Sequence, residues 1–233
     1  MFKNTVLKAL GDDVIERLKL RPVTFAVEHE LEYPGTPIDK IYFVEEGMAS
    51  MTVTFYDGTQ VEVGMFGCES IIGISALMGT KQSLNRAYTQ IAGKGYSSPV
   101  EQARREFARG EVFQMLALRY VQVQLVQSMQ SAACNARHNF EQRLARWLLI
   151  CADRAHSETF EMSQEYMAQM LGTTRSTISI AAGKLKELRL VEYTRGVVRI
   201  INPAGLENVA CECYRVIKYH LDNYDGFDSR VVS

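Results

Sequence analysis

Hydrophobic positions change their spacing along the chain, and each change predicts a different kind of element. Apolar residues recur at helical spacing near the start and predict an amphipathic helix over residues 4–20; they are Val6, Leu7, Leu10, Val14, Ile15 and Leu18. From about residue 21 to 100, short β-rich runs alternate with Gly and Pro signals. In "MTVTFYDGTQVEV", Asp57 and Gly58 lie between two alternating runs, which is a strong hairpin signal. Many short strands with close turns predict a small antiparallel barrel or sandwich.

A long helix is predicted after the strands. No proline interrupts residues 104–155, and Gly110 is the only glycine there. Side chains recur at alternating steps of three and four and predict a heptad seam; its positions are Phe113, Leu116, Tyr120, Val123, Gln127, Gln130 and Cys134. A second copy of the helix would cover this stripe in a parallel two-fold dimer. The alternative is that the stripe packs on the chain's own β domain; we favour the homodimer.

The last part of the chain predicts a second domain of short helices and a hairpin. Ser163 is a suitable N-cap for one short helix, Gly172 suits the turn after it, and Thr174 caps the next helix. "VEYTRGVVRIIN" predicts two strands joined at Arg195-Gly196, and Pro203 opens a final helix. Two helices joined at a glycine turn form the helix-turn-helix pattern.

The second helix of this pattern opens on Thr, Thr, Arg, Ser, Thr, which packing does not explain. In a helix-turn-helix, the first turns of that helix enter the major groove of DNA, where a guanidinium binds guanine and hydroxyls contact bases or phosphates. The predicted DNA-binding residues are Thr174, Arg175, Ser176, Thr177, Ser179 and Lys184, with Arg195 on the hairpin. The alternative is an ordinary helical hairpin with a polar end.

Composition adds a local charge signal to this pattern. The 233 residues allow two domains, and the 47% hydrophobic fraction is that of a globular protein. The net charge is only −1, so the charge of the whole chain does not indicate nucleic-acid binding. Between residues 172 and 201, however, six basic and two acidic residues give a local charge of +4. Such a patch attracts phosphates, although a solvated charged face is the simpler interpretation when it stands alone.

Several other kinds of site are not favoured. No run of about 18 apolar residues predicts a membrane span. Asp12 and Asp13 interrupt any apolar signal-peptide core, so we expect a cytoplasmic protein with reduced thiols. Cys211 and Cys213, with His220 downstream, could suggest a metal site, but two thiols with one intervening residue on a helix point in different directions, so no metal site is predicted. No P-loop, H-E-x-x-H or G-x-S-x-G motif occurs, so we do not expect an enzyme.

Two long stretches carry a family resemblance. "FEQRLARWLLICADR" followed by "MSQEYMAQMLGTTRSTISIAAGKLKELRLVEYTRGVVRI" resembles the C-terminal half of the cyclic-AMP receptor / fumarate-nitrate regulator (Crp/Fnr) family of bacterial transcription factors. "IYFVEEGMASM" and "GMFGCESIIGISALMGTKQSLNRAYTQIAG" resemble that family's cyclic-nucleotide-binding β-roll.

The resemblance implies an α+β fold in three parts. These are a β-roll sensor domain over 1–110, a dimerisation helix over 111–137 and a winged helix-turn-helix domain over 138–233. It implies a homodimeric transcription regulator on a near-palindromic double-stranded DNA site, and it allows RNA polymerase as a partner. A small-molecule sensor that acts through protein contacts is the alternative.

When single positions are compared, the resemblance implies that Arg175 is the arginine that reads guanine. Ser176 stands where many members place a base-reading glutamate, and Ile180 where a basic side chain is common. The implied effector pocket contains Gly73, Ile74, Arg86 and Ala87. Ile74 replaces the acid that meets the ribose, and losing that hydrogen bond costs a few kcal/mol, about 1–3. We therefore expect weak or no cyclic-AMP binding and name no other cofactor.

Overall fold

The structure is a computed structural model, and it describes residues 1–225. Two short helices open the chain, α1 (Thr5–Lys8) and α2 (Asp12–Leu18). The prediction of one continuous helix over 4–20 is therefore wrong. Gly11 has an extended backbone (φ −74°, ψ 159°), and acidic residues fill the first turn of the new helix, where the helix dipole favours negative charge.

An antiparallel sheet forms most of the N-terminal half. Its strands are β1 (Arg21–Phe25), β2 (Glu30–Glu32), β3 (Lys40–Thr54), β4 (Gln60–Phe66), β5 (Ile71–Ile72) and β6 (Arg86–Pro99). The hydrogen-bonded order is β1-β6-β3-β4, with β2 also paired to β6 and β5 to β3. The predicted hairpin between β3 and β4 is confirmed, and Gly58 in its turn has φ 84°. A 3₁₀ turn (Ile74–Met78) precedes β6, and helix α3 (Val100–Phe107) follows it.

The long helix α4 (Val112–Arg137) corrects the predicted dimer seam. Six of the seven seam positions are buried inside this one chain and the seventh is half-buried; the six are Phe113, Leu116, Tyr120, Val123, Gln127 and Cys134, and the seventh is Gln130. The ring of Phe113 lies 6.5 Å from that of Phe43 on β3, and Tyr120 lies 6.0 Å from Tyr224. The alternative interpretation, in which the stripe packs on its own chain, is the one that holds.

A second heptad stripe on α4 is the exposed one. It lies two residues further along, about 200° around the helix; its members are Met115, Leu118, Gln122, Leu125, Met129, Ala132 and Ala136. On a helix between two domains, a seven-residue repeat can belong to the face that packs on the same chain or to the face that stays exposed. Spacing alone therefore could not identify the face that the chain covers itself.

The C-terminal half is a winged helix-turn-helix unit. It contains α5 (Phe140–Ala155), β7 (Thr159–Glu161), α6 (Gln164–Met170), α7 (Arg175–Glu187), β8 (Val191–Thr194) and β9 (Val197–Ile200). The predicted hairpin is present, and β7 joins it in a three-stranded sheet of order β7-β9-β8. The predicted single tail helix is instead α8 (Pro203–Val209) and α9 (Cys213–Asn223), because Ala210 is extended (ψ 154°) and ends the first of them.

The two halves pack directly against each other and share one hydrophobic core. The Tyr88 and Tyr166 hydroxyls share a hydrogen bond of 2.9 Å between β6 and α6. An ion pair of 3.2 Å joins Arg154 on α5 to Glu69 of the sheet unit. These contacts fix the winged unit against the sheet.

No helix among residues 1–225 combines the length and the apolar character that crossing a bilayer requires.

Candidate nucleic-acid interface

The turn into α7 is set by local hydrogen bonds. Thr174 is extended (φ −95°, ψ 154°), and its Oγ1 accepts a bond of 3.3 Å from the backbone N–H of Thr177. The same Oγ1 lies 2.8 Å from the Ser176 hydroxyl. Gly172 has φ 61°, and a Cβ there would lie 3.2 Å from the Val61 side chain on β4. Glycine thus allows both the left-handed turn and the close approach to the sheet.

One face of α7 is buried, and the other carries the predicted DNA-binding residues. The buried face consists of Ile178, Ala181, Ala182 and Leu185. Arg175, Ser176 and Ser179 are exposed, and Arg175 forms no hydrogen bond or ion pair within residues 1–225. A free guanidinium and hydroxyls at the start of an exposed helix can donate hydrogen bonds to base edges or phosphates.

Besides Thr174 and Ser176, which share the hydrogen bond given above, two more of the predicted residues have partners inside the protein. Thr177 is half-buried, and its hydroxyl lies 3.0 Å from the Thr174 Oγ1, so it belongs to the cap. The Lys184 ammonium is exposed but pairs with the carboxylate of Glu141 on α5. Lys184 would have to leave this pair, or bridge from it, to contact a phosphate.

The hairpin between β8 and β9 places more positive charge beside α7. Arg195 and Gly196 both have positive φ, at 50° and 82°, which is the geometry of a tight two-residue hairpin turn. Arg195 is exposed at the tip, and Arg189 and Arg199 are exposed nearby in the chain. Arg189 and Arg199 entered the sequence analysis only through the local net charge and were not predicted to bind DNA. That local charge was the signal that could have identified them.

The predicted effector pocket is adjacent to an acidic side chain. Glu32 on β2 lies opposite Ala87 in the sheet, and its carboxylate accepts a bond of 2.8 Å from the Gly73 N–H. Its other oxygen accepts a bond of 2.6 Å from the Ser83 hydroxyl. Burial raises the pKa of Glu32. Glu32 lines a cleft of about 290 Å³ together with two further acids, Glu30 and Asp39, and one base, Lys40.

Arg86, the predicted phosphate ligand, is already engaged. Its Nε and Nη2 donate to the two carboxylate oxygens of Glu30 at 2.9 and 3.2 Å. Its Nη1 donates to Gln60 at 3.1 Å, and the guanidinium lies 4.4 Å from the centre of the Tyr88 ring. Sequence reasoning missed Glu30 and Glu32, although both stand in the acidic run before Pro34. The acids suit a cation or a neutral group better than a phosphate.

A titratable contact joins the sheet to the winged unit. One carboxylate oxygen of Glu62 on β4 accepts a bond of 2.7 Å from the Trp147 indole N–H on α5. The other accepts a bond of 2.6 Å from the Ser50 hydroxyl. Loss of solvent raises the pKa of Glu62 to about 7, although these bonds and the guanidinium groups of Arg154 and Arg146 oppose the shift.

Cys211 and Cys213 do not share one helix in the structure, contrary to the prediction that excluded a metal site there. Both cysteines were assigned to one helix, but the chain breaks before α9, so only Cys213 is helical. The break brings both thiols next to Cys134 and His138 at the end of α4. Their separation in sequence gave no signal for this cluster.

The structure combines an antiparallel sheet, a long helix and a winged helix-turn-helix. Helix α7 of this unit carries Arg175, which has no partner among residues 1–225. This combination defines a class of DNA-binding regulators. A model of the Crp-like helix-turn-helix domain matches residues 142–209. The global nitrogen regulator of Nostoc sp. is 24% identical over 194 residues, which cover 78% of this chain and 86% of that protein. The global nitrogen regulator of Synechocystis sp. is 24% identical over 213 residues, covering 86% and 92%.

Solved structures share the fold. A transcriptional regulator of the Crp/Fnr family from Eubacterium rectale has a TM-score of 0.70 at 13% identity, covering 88% of this chain and 97% of that one. FixK2 from Bradyrhizobium japonicum has a TM-score of 0.69 at 17% identity, covering 82% and 98%.

The chain is similar to the Crp/Fnr family in its helix-turn-helix domain, in its fold and in its curated relatives. It is a DNA-binding transcription regulator, and the predicted family, fold class and general function are confirmed. The family consists of transcription regulators, not of enzymes.

Proposed function

We propose that the chain acts as a homodimer that binds a near-palindromic duplex site through the start of α7. The observation that carries this proposal is the exposed guanidinium of Arg175, which has no partner among residues 1–225 and lies beside the hydroxyls of Ser176 and Ser179. Arg175 reads guanine in the major groove, and the serines contact neighbouring base edges or phosphates. Thr174 and Thr177 hold the start of the helix, while Lys184 and Arg195 supply phosphate contacts.

The dimer forms through the exposed stripe of α4, defined above by Met115 to Ala136. Leu125 and Met129 are each 57% exposed in the single chain, and Leu118 is 49% exposed. Apolar side chains in a heptad pattern on a long helix are stabilised by a second copy of the same helix. In this arrangement the two α7 helices enter successive major grooves about 34 Å apart. RNA polymerase is a further proposed partner of the DNA-bound dimer.

A DNA-binding titration of Arg175→Ala tests whether Arg175 reads guanine. On the preferred duplex, we expect a loss of about 1–3 kcal/mol, which is about 5- to 150-fold in affinity, with a relaxed preference at one base pair. Arg21→Ala is the matched control, because Arg21 is also exposed but lies on β1 of the sheet. Unchanged affinity and unchanged base preference for Arg175→Ala would refute the assignment.

The effector, if it occupies the predicted pocket, is not cyclic AMP in this proposal. Ile74 offers no carboxylate to the ribose, and Arg86 is held by Glu30 in a two-bond ion pair. The acid Glu32 next to Gly73 repels a phosphate. We expect cyclic AMP to leave the melting temperature of the chain unchanged. A ligand at 100 times its Kd adds about 2.7 kcal/mol of stability, so a clear upward shift would contradict this proposal.

A further inference from the structure

Three thiols and one imidazole meet at the hinge between α4 and α5. Cys134 lies in the last turn of α4 and His138 caps its end, while Cys211 lies between α8 and α9 and Cys213 begins α9. Their sulfur and ring nitrogen atoms all lie within 4.8 Å of one another. The Cys134 and Cys211 sulfurs are 3.4 Å apart, and the Cys213 sulfur is 3.6 Å from His138 Nδ1.

We propose that these four side chains bind one zinc ion in a closed tetrahedral Cys₃His site. Zinc–sulfur bonds of about 2.3 Å and zinc–nitrogen bonds of about 2.0 Å place tetrahedral ligands about 3.5–3.8 Å apart. The separations of 3.4 Å between the Cys134 and Cys211 sulfurs and 3.6 Å between the Cys213 sulfur and His138 Nδ1 already lie near this range. Thiolate and imidazole ligands select zinc over the hard cations magnesium and calcium. On binding, the thiols of Cys134, Cys211 and Cys213 release their protons to solvent, and His138 binds in its neutral form.

Two neighbouring side chains hydrogen-bond to the proposed ligands and orient them, as residues around a bound metal ion commonly do. The Glu212 carboxylate lies 3.2 Å from His138 Nε2 and accepts its hydrogen, which leaves the Nδ1 lone pair towards the sulfurs. Metal-bound histidines in proteins almost always have such a partner on the other ring nitrogen. Gln130 Nε2 also donates to the Cys213 sulfur at 3.1 Å. Buried thiols that only filled space would not need either contact.

Positive charge on α5 matches the charge of the proposed site. A zinc ion with three thiolates and one imidazole carries a net charge of −1. Burial raises the pKa of Cys134, and the positive charge of Arg146 on α5 opposes this shift. The Nε atoms of Arg143 and Arg146 are buried, and neither has a hydrogen-bond partner within the described part of the chain. Their other guanidinium nitrogens donate to the Leu171 carbonyl oxygen at 3.4 Å and to the Ser131 hydroxyl at 3.5 Å, so the two arginines add positive charge near the cluster without contacting it directly.

A disulfide is the main competing use of these thiols. The distance of 3.4 Å between the Cys134 and Cys211 sulfurs is longer than a covalent S–S bond of about 2.05 Å. A disulfide would also use only two of the four groups. It would give no role to His138, which faces the third thiol, or to Glu212, which orients it.

The site has a consequence for DNA binding, and this consequence rests on the proposed function. Cys134 and His138 span the hinge that links the dimer helix α4 to the winged unit, and zinc would tie this hinge to α9. The bound ion would therefore fix the angle between the dimer helix and α7. Since a dimer binds DNA only when its two α7 helices have the right separation, loss of zinc should weaken DNA binding.

Cobalt substitution tests the metal site directly. The full chain, purified with a reductant and a chelator and then desalted, is titrated with Co²⁺. We expect one Co²⁺ per chain, with the visible bands of tetrahedral cobalt and thiolate-to-cobalt charge-transfer absorption, both removed by added Zn²⁺. Cys134→Ser and Cys213→Ser should lose the charge-transfer absorption. Cys68→Ser is the matched control, because Cys68 lies outside the cluster, and it should keep the spectrum.

A second pair of variants tests the contact between Glu212 and His138 without removing a thiol. Glu212→Ala should weaken zinc affinity by about 10- to 100-fold. Glu207→Ala, which removes an acid that pairs with Arg215 on the neighbouring helix, should leave the affinity unchanged. If the reduced chain binds no Co²⁺, or if Glu212→Ala and Glu207→Ala behave alike, the zinc assignment is overturned.

DNA binding gives the last readout. Removing zinc should reduce affinity for the preferred duplex by about 5- to 150-fold, the usual range of coupling between two sites. Equal affinity with and without zinc would overturn the hinge role. Failure to bind DNA in either state would reject the proposed function, and the cobalt spectrum would still report the metal site.

Discussion

The Trp147 indole N–H donates to the Glu62 carboxylate at 2.7 Å, across the boundary between the winged unit and the sheet. Trp147 lies on the first helix of the winged unit, and Glu62 lies on β4. Trp147 is fully buried, so the contact between the two units includes a carboxyl group that can titrate.

The first prediction is that Glu62 makes the stability of the chain depend on pH. Its pKa rises from an ordinary value of 4.5 to about 7 in the folded chain. The folded state therefore holds the proton more tightly than the unfolded state does. The resulting stabilisation is complete below pH 4.5 and is lost as the pH rises through about 7.

Glu62→Gln should remove this part of the pH dependence, because the amide oxygen can still accept from Trp147 but does not titrate. Denaturant unfolding of both chains across this pH range measures the effect. Glu16→Gln, which changes an exposed acid, is the matched control. A pH profile of Glu62→Gln that is parallel to that of the original chain would show that Glu62 does not titrate there.

The second prediction concerns the exposed face of α4. Leu125→Glu should convert the dimer into monomers, because it places charges in the centre of an apolar seam, where both copies meet. Sedimentation equilibrium of the purified chain gives the mass directly. Leu188→Glu makes the same change at a site that is 61% exposed but lies at the end of α7, and it should leave the dimer intact.

The dimer prediction has a clear contrary result. If the original chain sediments as a monomer, the exposed stripe does not join two copies. If Leu125→Glu remains a dimer, the interface lies on another surface.

The third prediction separates the two faces of α7. Ile178 is fully buried, and Ile180 is 65% exposed. Ile178→Ala should lower the free energy of unfolding by about 2–5 kcal/mol, because it leaves a cavity in the core. Ile180→Ala should change it by less than about 0.5 kcal/mol, which is typical of surface sites. Equal effects in denaturant unfolding would mean that the face carrying Ser179 and Ile180 is not the outer one.

Short-range features were predictable because neighbours in sequence determine them. Asp57-Gly58 gave the hairpin, Thr174 gave the helix start, and Arg195-Gly196 gave the wing turn. Each needs only a backbone conformation or a cap that a few adjacent residues supply. The residues Arg175, Ser176 and Ser179 also lie on the exposed face that helical spacing predicted.

Long-range features were not predictable from the pattern. Both faces of α4 repeat every seven residues, so spacing could not assign Tyr120 to the inside and Leu125 to the outside. Glu32 approaches Gly73, and Cys134 approaches Cys211, only after distant segments fold together. Such contacts depend on the packing of the whole chain and leave no local periodic signal.

The most direct test of DNA reading by a pair of α7 helices is selection of bound sequences from random duplex DNA by the purified full chain. We expect the enriched duplexes to contain inverted half-sites whose centres lie about one helical turn, or 34 Å, apart. We also expect the affinity for them to fall steeply as salt rises, since phosphate contacts release counterions. Enrichment of no sequence, or of single half-sites without a partner, would contradict the account.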